Sequence, residues 1–371
     1  MTRVLIWVQH LLGTGHTVRA AALAHALRAE GAGVTMALGA VPPPTLDLSG
    51  LDLVELPAVA ATDGSFTTIQ TSDGRPYEAV AQHRRELLLA LVETLRPQVL
   101  VTETFPFGRR RFSGELLAMA EAARGRGAVI ASSIRDVLVR KSPQKEAQMA
   151  GWANAHFDHV LVHADPNFVR LEDSFGASDK VASLVHYTGF VDGGHPVPAE
   201  GGDRSGILVS AGGSAVGAAL IEAAVTAARS FPQMEMRVLI PRPLQALADT
   251  LRSTAPSHVQ LEANRPDFRA LLSQCAVSIS QAGYNTVLDV LAARPRAVLV
   301  PFAAHEESEQ TDRAAALERR ELAHVLAESD LNAETLAHAI RAALKTPPPP
   351  SIALDTDGAG RTARFLMEAA G

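Results

Sequence analysis

Residues 278–289 read S-I-S-Q-A-G-Y-N-T-V-L-D, and residues 297–310 read A-V-L-V-P-F-A-A-H-E-E-S-E-Q. The apolar run at residues 276–279 is short and stops before Gly283, which predicts a buried parallel strand followed by a helix over residues 284–293. A glycine at such a turn lets the backbone approach a phosphate closely, and the free N–H groups of the first helical turn favour negative charge. The stretch therefore predicts a diphosphate site where the strand meets the helix.

Polar side chains around this junction suit a sugar and its ribose. Asn285 and Thr286 add hydrogen-bond donors at the helix start. Asp289 lies about one turn further along, where a carboxylate can accept hydrogen bonds from both hydroxyls of a ribose. The polar loop after the next predicted strand lies at the carboxyl edge where open α/β sheets bind ligands, and it carries His305, Glu306, Glu307, Glu309 and Gln310. An ordinary strand–helix–strand unit with a polar loop is the alternative interpretation.

This stretch resembles the donor-binding signature of GT-B glycosyltransferases of the family 28 type, similar to the UDP-GlcNAc-dependent transferase of peptidoglycan synthesis. Their pattern is S-G-x-x-T-x-x-E, then P-F, then a pair of glutamines, and the matching positions here are Ala282, Gly283, Thr286, Asp289, Glu309 and Gln310. The resemblance implies that Asp289 binds the ribose and that Glu309 and Gln310 bind the sugar. Asp289 is one methylene shorter than the glutamate of the pattern, and Glu309 lacks an amide donor, so the identity of the sugar stays open.

The resemblance also implies an α/β protein of the GT-B fold, with two Rossmann-like parallel-sheet domains facing each other across a cleft. Strand and helix patterns alternate in two series, as parallel sheets require, and the series are separated at residues 189–205 by a segment rich in glycine and proline. We expect an acceptor domain over residues 1–190, a linker over 191–204 and a donor domain over 205–352. A C-terminal helix over 353–371 is expected to pack back toward the first domain.

Composition narrows the class of protein. The chain has 371 residues, 47% of them hydrophobic and 20% charged, with a formal charge of −6, which is typical of a soluble globular protein without affinity for nucleic acid. The single cysteine, Cys275, precludes an intrachain disulfide and fits a core position in a cytoplasmic protein. Since no apolar run reaches the roughly 18 residues of a membrane span, we expect a cytoplasmic protein that contacts membranes at most peripherally.

Residues 13–19 read G-T-G-H-T-V-R and follow the first predicted strand. Val18 occupies the third glycine position of the dinucleotide fingerprint G-x-G-x-x-G, which disfavours NAD. Gly15 opens a helix whose positive end favours the neutral form of His16, as a general base requires. Arg19 shares that helix face and is a candidate to bind the acceptor or another anion. The turn resembles the G-x-G-H-x-x-R turn of the same transferases, which implies donor contact at Gly15 and a catalytic role for His16. A histidine that only caps the turn is the alternative.

A second glycine-rich turn follows the strand predicted at residues 206–210. Gly212, Gly213 and Ser214 can present a cluster of N–H groups and one hydroxyl to a diphosphate, and they resemble the G-G-S-x-G turn of these enzymes. A tight structural turn is the alternative. Arg265 follows another predicted strand at the same sheet edge, where the family holds the uracil, so the resemblance implies a donor contact for this residue.

Residues 102–112 read T-E-T-F-P-F-G-R-R-R-F. The aromatic residues and the three successive arginines, Arg109, Arg110 and Arg111, suit an anionic or lipid-linked acceptor. A solvated basic loop is an equally good interpretation. Glu103 is the second candidate for the catalytic base. The segment also resembles a broad group of bacterial predicted glycosyltransferases, and that resemblance extends over nearly the whole chain.

The sequence contains two candidate metal-binding patterns, and neither predicts a metal site. His156, His159 and His163 straddle a predicted helix-to-strand boundary and so do not share a face, and the pattern H-E-x-x-H does not occur. Asp355 and Asp357 form a D-x-D pattern, but it follows a run of prolines, so we expect these residues to cap the last helix. The sequence predicts no metal site and no cofactor other than the UDP-sugar co-substrate.

The sequence thus predicts an inverting, metal-independent glycosyltransferase that moves a sugar, with GlcNAc as the first candidate, from a UDP-sugar to a hydroxyl acceptor. Three alternatives remain. The G-x-G-H-x-x-R turn also resembles a UDP-sugar hydrolase of pseudaminic acid synthesis, in which water replaces the acceptor. Nucleotide-sugar epimerases use the same fold, and a non-catalytic nucleotide-sugar-binding protein would keep the same donor motifs.

Overall fold

The computed structural model describes residues 1–11, 13–43, 46–61, 68–193, 203–213, 215–303 and 308–371. The chain divides into two compact units. Unit 1 comprises Met1–Gly193 together with Leu354–Gly371, and unit 2 comprises Gly194–Ala353. Each unit contains a parallel sheet with helices packed on it, so the predicted fold class, α/β with two Rossmann-like sheets, is confirmed.

The described strands of unit 1 are β1 (Arg3–Val8), β2 (Gly33–Leu38), β3 (Asp52–Glu55), β4 (Ala60–Ala61), β5 (Ile69–Gln70), β6 (Val99–Glu103), β7 (Val129–Arg135), β8 (His159–His163) and β9 (Val185–Tyr187). The main sheet has the order β3-β2-β1-β6-β7-β8-β9, and β4 pairs with β5 apart from it. The strand order reverses between β1 and β6. In doubly wound sheets this switch point opens a crevice at the carboxyl ends of the two strands.

The described α-helices of unit 1 are α1 (Gly15–Ala29), α2 (Glu78–Leu95), α3 (Ser113–Arg124), α4 (Pro143–His156) and α11 (Gly358–Ala369). Strand β1 explains the layers, because its side chains alternate between two cores. Leu5 and Trp7 pack with Leu88 of α2, whereas Val4 and Ile6 pack on the other face of the sheet among residues of α1 and α11. Because both faces are covered by helices, the strand is almost continuously apolar.

The last helix, α11, belongs to unit 1. Leu366 is fully buried in the core that also contains β1. Asp357 immediately precedes the helix but makes no side-chain cap. Its carboxylate accepts a hydrogen bond from Arg364 at 2.7 Å instead, and Asp355 pairs with Arg361 at 2.6 Å. The capping interaction expected of the D-x-D pattern is therefore wrong in detail, because arginines further along the helix compete for the carboxylates.

The described strands of unit 2 are β10 (Ile207–Ser210), β11 (Met236–Ile240), β12 (Val259–Ala263), β13 (Val277–Ser280), β14 (Arg296–Leu299) and β15 (His324–Val325). They form a parallel sheet in the order β12-β11-β10-β13-β14-β15, which reverses between β10 and β13. The described helices are α5 (Ala218–Ala227), α6 (Gln245–Arg252), α7 (Phe268–Gln274), α8 (Tyr284–Ala293), α9 (Glu309–Glu318) and α10 (Ala333–Lys345). The glycine turns that follow β10 and β13 therefore lie side by side.

Two further observations complete the fold. The described part of the predicted linker begins with Val191, which is buried and forms a β-bridge with Asp357, whereas residues 194–202 lie outside the described part of the chain. Among the described residues, no helix combines the length and apolar character that crossing a membrane requires.

Candidate active site

The switch point of unit 1 brings two predicted catalytic residues together. His16 lies in the first turn of α1, which follows β1, and Glu103 is the last residue of β6, the strand next to β1. Nδ1 of His16 lies 3.0 Å from Oε1 of Glu103. The exposed fraction is 7% for His16 and 1% for Glu103, so the two residues form a buried pair.

The Glu103 carboxylate accepts hydrogen bonds on both oxygens. Oε1 accepts from Arg19 and, at 3.1 Å, from the hydroxyl of Thr104, in addition to its contact with His16. Oε2 accepts from the hydroxyl of Ser133 at 2.7 Å. A carboxylate held by this many donors has one orientation, and so it fixes the imidazole that it contacts.

His16 is neutral in this environment. Burial holds its pKa well below the usual value, and the neighbouring Arg109, Arg135 and Arg19, together with His10, lower it further. Nη2 of Arg135 lies 3.3 Å from Nε2 of His16. A guanidinium only donates and a carboxylate only accepts, so Arg135 at Nε2 and Glu103 at Nδ1 together assign the ring proton to Nδ1. Arg19 and the hydroxyl of Thr104 also lie near Nδ1, at 3.4 and 3.1 Å, and both donate to Glu103. A neutral imidazole is the form that a general base requires, and its Nε2 lone pair accepts from Arg135 in this structure.

A second buried histidine lies behind Glu103. Nε2 of His163, at the end of β8, is 2.9 Å from the hydroxyl of Ser133, and its Nδ1 is 2.9 Å from the hydroxyl of Thr188. Burial, reinforced by Arg19, lowers the pKa of His163 to about 3 even though Glu103 acts in the opposite direction. The polar side chains at the carboxyl ends of three adjacent strands therefore form one network.

The arginines predicted to bind the acceptor do not act as one cluster. Arg19 is 3% exposed and is engaged with Glu103. Nε of Arg109 donates to the main-chain oxygen of Gln9 at 2.8 Å, and Arg111 pairs with the exposed Glu78 at 2.6 Å. Arg110 is partly buried in the short helical turn before α3. The structure therefore places Arg109 near His16 and directs Arg111 toward α2.

In unit 2, the glycine turns that follow β10 and β13 lie at the same edge of the sheet. Gly212 has a φ of +70°, which favours glycine, and a Cβ added at Gly212 or Gly213 would meet no atom of the described residues within 4 Å. Nδ2 of Asn264, from the loop after β12, donates to the main-chain oxygen of Gly212 at 2.8 Å. Gly283 immediately precedes α8. Ser214, the third predicted residue of the turn, lies outside the described residues.

Two side chains of α9 hold the loops of this edge. Oε1 of Gln310 accepts from the main-chain N–H groups of Ala282 and Phe302, each at 3.0 Å. Arg313 donates to the main-chain oxygen of Ala282 at 2.7 Å and lies over the ring of Tyr284. Gln310, which is predicted to bind the sugar, therefore connects the main chain at Ala282 with the main chain at Phe302 in the structure. Its predicted partner Glu309 is 5% exposed, and the loop residues 304–307, which include His305, Glu306 and Glu307, lie outside the described residues.

The other predicted donor residues lie at the same edge. Asp289 accepts from Nε of Arg269 at 2.8 Å and forms an ion pair with its Nη2 at 2.7 Å. On the same helix, Asn285 is exposed and Thr286 is half-buried. Arg265 is exposed and pairs with the neighbouring Asp267 at 2.7 Å. Among the described residues no group of three or more potential ligands could hold a metal ion.

Comparison with known proteins identifies the second unit. Residues 207–353 match the family model described as the glycosyltransferase family 28 C-terminal domain. The matched residues lie within unit 2. No match was found among curated proteins.

Solved structures agree with this assignment. MurG of Acinetobacter baumannii is 17% identical, with a TM-score of 0.61 over 100% of this chain and 98% of that one. The spinosyn rhamnosyltransferase SpnG complexed with thymidine diphosphate is 19% identical, with a TM-score of 0.62 over 100% and 96%. The glycosyltransferase VinC in complex with dTDP is 16% identical, with a TM-score of 0.62 over 100% and 95%. These structures share the GT-B fold, and together with the family 28 domain they support a glycosyltransferase.

The sequence did not predict several residues that contact the candidate site residues. Ser133, His163 and Thr188 join the network of His16, and Arg269 pairs with Asp289. A signal for the first two existed, because both are polar residues near the carboxyl ends of predicted parallel strands. Arg269 carried no comparable signal, since its partner is 20 residues away on the next helix.

The depressed pKa of His163 predicts a dependence of stability on pH. Below about pH 6.5 the unfolded chain takes up a proton at this residue, but the folded chain does not until the pH approaches 3. The contribution of His163 to the free energy of unfolding should therefore fall by about 1.4 kcal/mol as the pH is lowered from 6 to 5. In His163→Gln the slope of the free energy of unfolding against pH should decrease by that amount. Urea unfolding followed by the fluorescence of Trp7 and Trp152, both in unit 1, measures it, and an unchanged slope would contradict the assignment.

Proposed function

We propose that the protein transfers a sugar from a UDP-sugar, with UDP-GlcNAc as the first candidate, to a hydroxyl acceptor, with inversion at the anomeric carbon and without a metal ion. The observation that carries this proposal is the buried pair of His16 and Glu103. The pair leaves the Nε2 lone pair of a neutral histidine directed away from its carboxylate partner, which is the arrangement expected of a base that deprotonates a hydroxyl.

The donor is assigned to unit 2. The glycine turn at Gly212 and Gly213 and the start of α8 after Gly283 lie at the switch point. The N–H of Gly212 donates to the hydroxyl of Ser210 at 3.3 Å, so the N–H groups of Gly213 and of the first turn of α8 are the ones that would stabilise a diphosphate. Asp289 would accept the hydroxyls of the ribose. The thymidine diphosphate bound to SpnG and the dTDP bound to VinC support a nucleoside diphosphate as a ligand of this protein.

The proposed reaction is a single displacement. The acceptor oxygen forms a bond to the anomeric carbon while the bond from that carbon to the diphosphate oxygen breaks, and the electron pair of that bond remains on the diphosphate. Nε2 of His16 takes the acceptor proton, and the resulting imidazolium is stabilised by Glu103. Helix N-termini offset the charge on the leaving diphosphate, the role that a cation plays in other transferases.

Glu103 is assigned as the partner of His16 and not as an alternative base. Its exposed fraction is 1%, against 7% for His16, and donors occupy both of its oxygens. An acceptor hydroxyl at Nε2 of His16 would replace one longer contact, that of Arg135 at 3.3 Å. Arg109 and Arg135 lower the pKa of His16, and the positive charge of both supports an acceptor that carries an anionic or lipid-linked phosphate near its nucleophilic hydroxyl.

A panel of UDP-, GDP- and dTDP-sugars, incubated with and without cell extract in the presence of EDTA, tests the function. Release of UDP only when extract supplies an acceptor is expected. Release in buffer alone would indicate a hydrolase, and binding without release would indicate a sensor. Loss of activity that Mg²⁺ restores would overturn the metal-free mechanism.

Asp289→Asn tests the donor site while preserving the shape of the side chain next to Arg269. Replacing charge-assisted hydrogen bonds to the ribose should weaken UDP binding by about 1.5–3 kcal/mol. The loss should be smaller for dTDP, which lacks the 2′-hydroxyl. Titration calorimetry with both nucleotides measures the difference. Asp249→Asn, which alters an exposed carboxylate paired with Arg252 in the same unit, is the control. Equal affinities for Asp289→Asn and the parent would rule out ribose binding by Asp289.

His16→Ala tests the proposed base. Because general-base catalysis is lost while unit 2 is untouched, kcat should fall by about 10²–10⁴ with little change in donor affinity. His25→Ala, on the same helix and hydrogen-bonded to the main chain of Asp47, should retain the parental kcat. Steady-state kinetics and the thermal midpoint are measured on the same preparations. If His16 serves only the fold, the midpoint will decrease and kcat per folded molecule will not.

A further inference from the structure

Ser133 and His163 lie on the far side of Glu103 from His16. Ser133 is in β7 and His163 ends β8, so the three strands that follow the switch point, β6, β7 and β8, each contribute one member. The side chains of Glu103, Ser133 and His163 are each at most 1% exposed. A substrate therefore contacts none of them directly, and any contribution to the reaction has to pass through His16.

The hydrogen-bonding capacities of these groups determine the direction of every bond. The Glu103 carboxylate only accepts, so the single proton of the Ser133 hydroxyl is donated to Oε2. The Ser133 oxygen must then accept from Nε2–H of His163. The neutral His163 consequently has its lone pair on Nδ1, where the Thr188 hydroxyl donates. All three bonds point toward Glu103, and such a chain polarises each bond in the same direction.

We propose that Ser133 and His163 are positioning residues that hold the Glu103 carboxylate so that His16 keeps its ring proton on Nδ1 and presents Nε2 to the acceptor. The catalytic part of this inference rests on the proposed function of His16; the tautomeric part does not. Without the Ser133 hydroxyl, Oε2 loses its donor and Glu103 can rotate toward Arg19. The contact between Oε1 and Nδ1 of His16 then weakens, and Nε2–H becomes an accessible tautomer.

The other charged neighbours of His16 do not replace this function. Arg19 lies on the same helix, Arg135 follows Ser133 on the sheet, and Arg109 and His10 come from loops at the same edge. The arginines carry a positive charge, so they oppose protonation of the ring but do not accept its Nδ1 proton. Glu103 is the charged acceptor for that proton, at 3.0 Å, and the Thr104 hydroxyl also lies 3.1 Å from Nδ1. Arg135, which donates to Nε2 at 3.3 Å, favours the same tautomer, so the orientation of Glu103 and the contact with Arg135 together keep the lone pair on Nε2.

The chain offers a matched control on the same strand. Ser132 and Ser133 are adjacent in β7, and both are fully buried. Among the described residues the hydroxyl of Ser132 has no hydrogen-bond partner, whereas that of Ser133 bridges Glu103 and His163. Ser132→Ala and Ser133→Ala therefore remove the same atom from neighbouring positions, and only the second change interrupts the network.

The experiment combines ring ¹⁵N NMR of the histidines with kinetics of the full chain. In the parent protein, His163 should be protonated on Nε2 and His16 on Nδ1. Ser133→Ala should convert His16 to a mixture of tautomers and lower kcat at least about tenfold, with the donor KM within about twofold of the parent. The midpoint of the pH dependence of kcat should also shift in Ser133→Ala relative to the parent. Ser133→Thr, which keeps the hydroxyl, should restore the tautomer, and Ser132→Ala should match the parent in every measurement.

Each outcome is decisive. An Nδ1-protonated His163 in the parent overturns the proposal without any variant, even if Ser133→Ala fails to fold. An unchanged His16 tautomer in folded Ser133→Ala also overturns it. A changed tautomer with an unchanged kcat would support the positioning of His16 and remove His16 as the base, so failure of the proposed function is distinguishable from failure of this inference.

Discussion

The carboxylate of Glu103 is the constraint on which the candidate site of unit 1 depends. Burying a charged group is strongly unfavourable unless it is paired and hydrogen-bonded. The fold meets this requirement by placing donors from α1, from Thr104 directly after β6 and from β7 around it. Once these donors are satisfied, the position of the His16 imidazole follows, because its Nδ1 proton has one carboxylate oxygen within reach. Orientation and protonation of the candidate base thus share one physical cause.

At the corresponding sheet edge of unit 2, main-chain groups and not a buried carboxylate are held by side chains. There the proposed diphosphate site depends on main-chain N–H groups of loops, and side chains of the protein hold those loops in place. Gln310 does this by accepting from the N–H groups of Ala282 and Phe302, and Arg313 adds a bond to the main-chain oxygen of Ala282. A rigid loop reduces the ordering cost of binding, which is consistent with a site for a flexible nucleotide sugar.

The sequence predicted the repetitive features well because they are local. Short apolar runs between glycine turns identified strands such as β13 and β14, and the position of Gly283 before α8 followed from the same pattern. The two-residue β15 was missed, because so short a strand has no detectable periodicity. Pairings between distant residues were also missed. Ser133 and His163 are 30 residues apart, and only the parallel order of the strands brings them together.

Local sequence patterns did not predict the contacts that Gln310 and Asp289 make within the protein. The pattern of Glu309 and Gln310 predicted sugar binding, but the amide oxygen of Gln310 is already engaged with two main-chain N–H groups. Asp289 likewise forms an ion pair with Arg269, so a ribose would share the carboxylate with that arginine. In both cases a polar side chain near the proposed ligand site satisfies other groups of the protein, since leaving those unpaired costs more than a single ligand hydrogen bond contributes. Any ligand that binds here must therefore use the remaining donors and acceptors of these side chains, and this requirement narrows the chemistry that the edge of unit 2 can recognise.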